Sequence, residues 1–340
     1  MWGLSTVGMA LINSEISFYL VRMLLGLFEA GFYPGTMVYL RSFFSESDFG
    51  FVYAVTMSAT SIALAMGGPV IAGIEAASRE IAPDYDTWRS CFLVQGGLAV
   101  ICGVVLFLFQ PREIDTCKFL TEEQKAVEKD VVRGGRGEDA KPDLIKVLKS
   151  ETMWWFAFSW MVFSLPYWGF IYWAPKIIGE IEDDGVSSTM ILMISSIPYT
   201  GAVLGNVLIA RGVEYCGGGK SRLKFLLFAD ILGASGFAIC ALASDKNAKI
   251  FGLAVAGAGL WGNYAPMWSI VTAEGLSSAD KNSYVALVNG IGTIGGMLGP
   301  YAVAAFSTRE ESFWFFCVCC LAAFPLFKMG CLRTTSGSKY

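Results

Sequence analysis

Two ionisable side chains, Arg22 and Glu29, interrupt an apolar stretch that runs from Ile16 to Leu40. Seven residues of α-helix rise about 10 Å and make nearly two full turns, so both side chains point to one face. An ionised group inside a bilayer costs several kcal/mol and therefore faces a water-filled path or a partner. A carboxylate and a guanidinium on one such face are what coupling a proton to an anion would require; pairing with neighbouring helices to fix their packing is the other reading. The chain has no histidine, so an acidic side chain must carry any proton. The same lack removes the residue on which Ser-His hydrolases, Cys-His transferases, haem proteins and most zinc enzymes depend. No enzyme activity, cofactor or metal site is expected. The cysteines agree, since Cys91, Cys102, Cys240, Cys317, Cys319 and Cys320 fall in apolar stretches, where a thiol packs as a small hydrophobe. Cys117, Cys216 and Cys331 share no metal-ligand spacing.

The elements that must position Arg22 and Glu29 follow from composition. With 340 residues, 54% hydrophobic, 16% charged and a mean hydropathy of +0.53, the chain is too apolar for a soluble protein and reads as an all-α polytopic protein of the lipid bilayer. A net charge of −4 leaves no basic face for nucleic acid. Uncharged stretches long enough to cross, which takes roughly 20 residues, run from Phe51 to Ile74, Ser90 to Pro111, Thr152 to Pro175, Gly185 to Ala210, Ile250 to Ala273 and Asn282 to Thr308. Ile16 to Leu40, Leu223 to Ser244 (with Lys224 and Asp230) and the short Ser312 to Phe327 are spans with a flaw. Met1 to Asn13 reads as a tenth, cut short at its start. It lacks the basic flank and cleavage site of a signal peptide.

Lys and Arg fix the orientation. Ten spans place 18 of the 25 on one side of the membrane, nine of them between Arg112 and Lys149, so that side is cytoplasmic and both termini lie there. The polar stretch comes after four spans and before six. It divides the chain into an N-terminal bundle, 1–111, a cytoplasmic hinge loop, 112–151, a C-terminal bundle, 152–327, and a tail, 328–340. Within the loop, Thr121-Glu122-Glu123-Gln124 is a capping box that opens a short helix, which Gly134 and Gly135 end. Gly219-Lys220-Ser221 imitates the end of a phosphate-binding loop, but Glu214 stands where that motif needs glycine, so no nucleotide is expected.

The run Arg22-Met23-Leu24-Leu25-Gly26-Leu27-Phe28-Glu29-Ala30-Gly31-Phe32-Tyr33-Pro34-Gly35 resembles the fourth helix of the anion:cation symporter family of the major facilitator superfamily, with its R-x-x-x-G-x-x-E-A-G-x-x-P-G pattern. A second block is similar to that family's tenth and eleventh helices. It comprises Pro266-x-Trp268 and the run from Ala286 through Asn289 to Gly299-Pro300-Tyr301. Weaker likenesses are Phe119-Leu120-Thr121-Glu122-Glu123, Trp173-x-Pro175 and Ile197-Pro198-Tyr199. The resemblance implies a two-bundle fold with about ten transmembrane helices, four plus six, the first two of the family's twelve being absent. It also implies secondary transport of a small organic anion with a cation, H+ above all, by rocking the bundles about a midplane site. Glu29 would couple the proton; Arg22, Trp268 and Asn289 would contact the substrate. Asn289 can offer a hydroxylated substrate both a donor and an acceptor, whereas Gly292-x-x-x-Gly296 and Gly295-x-x-x-Gly299 are spaced for helix packing. One departure is Gly212 to Arg222, a degenerate form of the family's loop between its eighth and ninth helices. Two other readings stand beside this one: a truncated, transport-inactive relative or membrane sensor, and a ten-helix carrier of five plus five, which the position of the basic loop disfavours.

Overall fold

The computed structural model describes residues 1–44, 46–134, 143–182, 186–217, 221–271 and 278–333, and among these there are helices and no strand. In order they are α1 (Trp2–Met9), α2 (Glu15–Glu29), α3 (Phe32–Phe43), α4 (Glu46–Ile81), α5 (Thr87–Phe109), a short 3-10 turn (Ile114–Thr116), α6 (Glu122–Gly134) and α7 (Leu144–Leu148). There follow α8 (Glu151–Ile181), α9 (Ser188–Ile194), α10 (Ser196–Tyr215), α11 (Arg222–Leu242), α12 (Lys246–Gly262), α13 (Tyr264–Val271), α14 (Ser278–Gly292), α15 (Ile294–Ala305) and α16 (Arg309–Leu332). Each of the ten expected spans corresponds to one of these helices or to a broken pair. The capping box also forms: Thr121 N donates to Gln124 Oε1 at 2.9 Å and Gln124 N to Thr121 Oγ1 at 3.3 Å, opening α6. Residues 135–142 of the hinge loop, 218–220 of the phosphate-loop imitation and 334–340 of the tail lie outside the described residues.

Five segments, Ser58–Ile81, Thr87–Phe109, Ser188–Tyr215, Arg222–Leu242 and Arg309–Leu332, are long and apolar enough to cross a membrane as they stand. The α8 helix has the length but fills it with Trp154, Trp155, Trp160, Tyr167, Trp168, Tyr172 and Trp173. Several other spans, expected to be continuous, are broken. Three breaks share a cause: α2 gives way at Ala30, α9 at Ile194 and α12 at Gly262, in each case four residues before a proline (Pro34, Pro198, Pro266). A proline has no N–H for the carbonyl four residues back, and its ring crowds that carbonyl. Proline alone does not end a helix here, since α4, α8, α15 and α16 continue through Pro69, Pro166, Pro175, Pro300 and Pro325. At two of the three breaks a side chain next to the weakened bond finds a bond of its own. The Ser195 hydroxyl donates to the Ile191 carbonyl at 2.7 Å, and the Asn263 amide donates across to α11. A fourth break, at Thr293, needs no proline: its hydroxyl (2.6 Å) and its N–H (2.8 Å) both bond the Asn289 carbonyl.

The chain forms two compact units, Met1–Tyr53 with Pro69–Arg136, and Ala54–Gly68 with Gly137–Tyr340. In the first, α1 lies against α5 at Gly3 and Gly96, where a Cβ on Gly96 would stand 2.6 Å from the Val7 backbone N. Arg89 ties the end of α1 down through Ala10 O and Asn13 Oδ1. The middle of α4 belongs to the second unit, with Asn206 Nδ2 donating to Ser58 Oγ at 3.3 Å.

The second unit is built on backbone-to-backbone contacts. Side chains on Gly201 and Gly205 of α10 would strike the carbonyls of Ala254 and Ala258 on α12, and one on Gly259 of α12 would strike Gly233 of α11. Gly295 and Gly299 of α15 do the same against Met161 O and Leu165 O of α8, as their spacing leads one to expect, whereas Gly292 and Gly296 meet the indole rings of Trp160 and Trp168. A Gly295→Val substitution is therefore expected to lower stability by about 1–3 kcal/mol through overpacking. Gly290→Ala, at a position with open space, should leave stability unchanged or slightly raised; thermal unfolding of both purified variants in detergent checks the contrast.

Candidate functional site

Arg22 and Glu29 both lie in one uninterrupted helix, α2, which Ser14 caps by accepting from Ser17 N at 3.2 Å. The helix has no buried residue, and both charged side chains are exposed. The Arg22 guanidinium stands 5.4 Å from the centre of the Phe18 ring one turn earlier, a cation–π contact. Among the described residues neither Arg22 nor Glu29 has an ion-pair partner. Glu29 is the last residue of α2, immediately before the break at Ala30.

Trp268 and Asn289 fall in the second unit, where Trp160 of α8 packs against Trp268 and against Gly292, three residues after Asn289. Trp160 is buried and packs against Phe163 (5.6 Å between ring centres, stacked), Tyr264 (5.2 Å, edge-on) and Trp268 (5.6 Å, edge-on). Tyr167, one turn beyond Phe163, joins Trp261 at 4.6 Å and Tyr264 at 5.5 Å. Trp268 is thus one wall of an aromatic cluster. Asn289 is half-buried on α14, three residues before Gly292, whose missing side chain makes room for the Trp160 ring. The structure therefore brings Trp268 and the neighbourhood of Asn289 to one aromatic side chain, and holds Arg22 and Glu29 on the first unit. Sequence reasoning passed over Trp160, Tyr167, Trp261 and Tyr264. The spacing of Trp160, Phe163 and Tyr167 on one helix face was the available signal.

Beyond the apolar part of α8, its last turn helps line a polar cavity of about 280 Å³ with Glu180, Lys246, Lys249, Arg309 and Glu310. Arg309 grips Glu180 with two hydrogen bonds, Nε to Oε2 at 2.7 Å and Nη2 to Oε1 at 3.0 Å, and lies 4.8 Å over the Trp173 ring. Lys176 sits over the same ring at 4.6 Å, and Lys246 pairs with Glu182 at 3.0 Å. The hydrogen bonds from Arg309, aided by the charges of Arg309 and Lys176, hold the Glu180 carboxyl below its ordinary range against a smaller opposing effect of burial. A carboxyl with a lowered folded-state pKa contributes stability that is present above the unfolded range and is lost as pH falls through the folded value. Glu180→Gln is accordingly expected to cost about 0.2–1 kcal/mol near neutral pH, the ordinary worth of an exposed pair. That cost should fade in acid as the native Glu180 protonates, which unfolding temperatures of wild type and variant across pH will show.

Comparison with known proteins fits this architecture. The profile of the Major Facilitator Superfamily matches residues 1–300. A quinolone resistance transporter of Acinetobacter baumannii is 30% identical over 89% of this chain and 68% of its own length, and a putative tartrate transporter of Agrobacterium vitis is 28% identical over 92% and 68%. Among solved structures, the partially occluded inward-open xylose transporter XylE of E. coli aligns with a TM-score of 0.69 at 14% identity, covering 99% of this chain and 79% of that one. A bacterial homologue of the human lysosomal transporter Spinster, inward-facing and occupied, aligns at 0.64 and 15%, covering 100% and 82%. Apolar helices and glycine-faced contacts among the described residues, with a sequence matched over most of its length, lead to one assignment: the chain is an integral, multi-pass membrane protein belonging to the Major Facilitator Superfamily of transporters.

Proposed function

We propose that the protein carries a small organic anion together with a proton by alternating access, as a member of the anion:cation symporter branch of its superfamily. The observation that supports this most is the pair on α2, a guanidinium and a carboxylate two turns apart on an exposed helix and unpaired among the described residues. A guanidinium offers a carboxylate two parallel hydrogen bonds and stays charged when desolvated, so Arg22 is the anchor for the anion. Glu29 carries the proton, and the charge of the bound anion next to Arg22 changes how firmly Glu29 holds it. Trp268 and Asn289 supply the apolar wall and the amide for the rest of the substrate. Residues 1–111 and 152–327 are the two moving bodies, the 112–151 loop joins them, and both termini face the cytoplasm. The Agrobacterium relative, a putative tartrate transporter, speaks for an organic anion.

The test is uptake of labelled tartrate into proteoliposomes. Glu29→Gln, which mimics the protonated acid, should abolish uptake driven by a pH gradient while sparing exchange of external for internal tartrate; unchanged pH-driven uptake would refute the coupling role. Arg22→Lys should weaken uptake of acidic substrates far more than of a neutral analogue. Equal loss for both would mean that Arg22 holds helices together instead. Wild-type vesicles that take up no organic anion under any gradient would favour the other reading, a transport-inactive relative.

A further inference from the structure

Asp230 is a charged residue of α11 that the reading above leaves unused. It is 1% exposed and lies on the side of α11 where Ala229 and Gly233 let α12 approach backbone to backbone at Gly259. That close approach brings Asp230 to the residue at which α12 breaks. Asn263, itself 3% exposed, donates from Nδ2 to Asp230 Oδ1 at 2.7 Å. Its main chain is satisfied on both sides, the N–H bonding Gly259 O and the carbonyl accepting from Met267 N, each at 3.1 Å. Its side-chain oxygen, Oδ1, is buried and has no hydrogen-bond partner.

The groups around the pair do not supply a counter-charge. From α16 the Cys320 thiol packs against Gly233, on the same helix as Asp230. The titratable residue of α13, Tyr264, turns to Trp160 and Tyr167 instead. On α12 the basic residues are Lys246 and Lys249, at its opposite end, and Lys249 pairs with Glu310. On α11 itself Lys224 is exposed, and Arg222 lies two turns away and reaches the Ser269 carbonyl; on α10 Arg211 pairs with Glu214, and the Tyr199 hydroxyl donates to the Ile171 carbonyl. Among the described residues no cation pairs with Asp230.

An ionised carboxylate buried in this way is strongly disfavoured unless a cation and further hydrogen bonds compensate, and a buried amide oxygen left without a donor adds to the cost. One proton removes both costs. A neutral carboxylic acid has one O–H donor and keeps a carbonyl acceptor, and a primary amide has the complementary N–H donor and oxygen acceptor. We propose that Asp230 and Asn263 form a proton-binding site in the second unit, in which a proton taken from water rests on the Asp230 carboxyl and is donated to Asn263 Oδ1. The two side chains then close a ring of two hydrogen bonds across the α12–α13 break. Loss of the proton to water leaves a carboxylate facing the Asn263 oxygen and undoes that ring. Because α13 starts at the next residue and carries Tyr264 and Trp268, occupancy of the site is tied to the seating of the aromatic cluster on Trp160. This inference concerns a different unit from Arg22 and Glu29 and stands whether or not they couple transport.

The test needs no substrate. Infrared spectra of the purified wild-type protein at neutral pH should contain the carbonyl stretch of a protonated carboxylic acid that moves down in D2O and moves again on labelling with 4-13C-aspartate. Asp230→Asn keeps a donor and an acceptor in place, so it should fold and lack that band. Asn263→Ala removes one side of the ring and should shift the band. A wild-type spectrum in which the labelled aspartates give only carboxylate bands at neutral pH overturns the proposal, whatever the variants do. So does an acid band that neither substitution affects.

Discussion

A backbone carbonyl that loses its helical partner in an apolar medium must be satisfied from within the chain, because lipid tails offer no donor. Much of this protein's architecture answers that constraint. Prolines at 34, 198 and 266 weaken the bond to residues 30, 194 and 262, and the helices part there. The side chains of greatest chemical interest sit at these openings or one turn from one: Glu29 at the end of α2, Asn263 between α12 and α13, and Asn289 one turn before the break at Thr293. Places where the helical ladder is interrupted are also places where a polar side chain is needed, and where a segment can tilt with little disruption of the rest. Half-helices meeting near the middle of a bundle are a recurrent device of transporters for the same reason.

Close packing sets the second requirement. In lipid there is no hydrophobic drive to bring helices together, so contact depends on small residues that let backbones meet. The second unit meets this with Gly201, Gly205, Gly233, Gly259, Gly295 and Gly299, each backed by the main chain of a neighbouring helix. Gly292 and Gly296 depart from that pattern, for they make room for the Trp160 and Trp168 rings. Space given up by one glycine is filled by the side chain that gathers Phe163, Tyr264 and Trp268, so the glycine run of α14 and α15 serves helix contact and also shapes the aromatic cluster.

Periodic and compositional signals were legible in the sequence: all ten hydrophobic segments, the capping box of α6, the packing role of Gly295 and Gly299 and the presence of Arg22 and Glu29 on one helix. The breaks were not, because a run of apolar residues reads as continuous, and other helices of the chain pass through a proline unbroken. Ser195 bonds the Ile191 carbonyl, Asn263 bonds Asp230 across the bundle, Thr293 acts without a proline at all, and none of these roles shows in a hydropathy count. Asp230 was read as a flaw in a span. Its partner is 33 residues away, and only the close approach of Gly259 to Gly233 brings the two together. For Trp160 the sequence carries only the spacing with Phe163 and Tyr167, since an aromatic residue in an apolar helix looks the same whether it faces lipid or gathers a cluster.

That anion and proton move together is the claim from which the functional reading follows, and it can be measured without an imposed gradient. Proteoliposomes holding a pH-sensitive dye, with equal pH on both sides and the membrane potential clamped, receive external tartrate. Entry of tartrate should acidify the interior in step with uptake, as protons enter with the anion. Tartrate entry with no change in internal pH would contradict proton coupling outright.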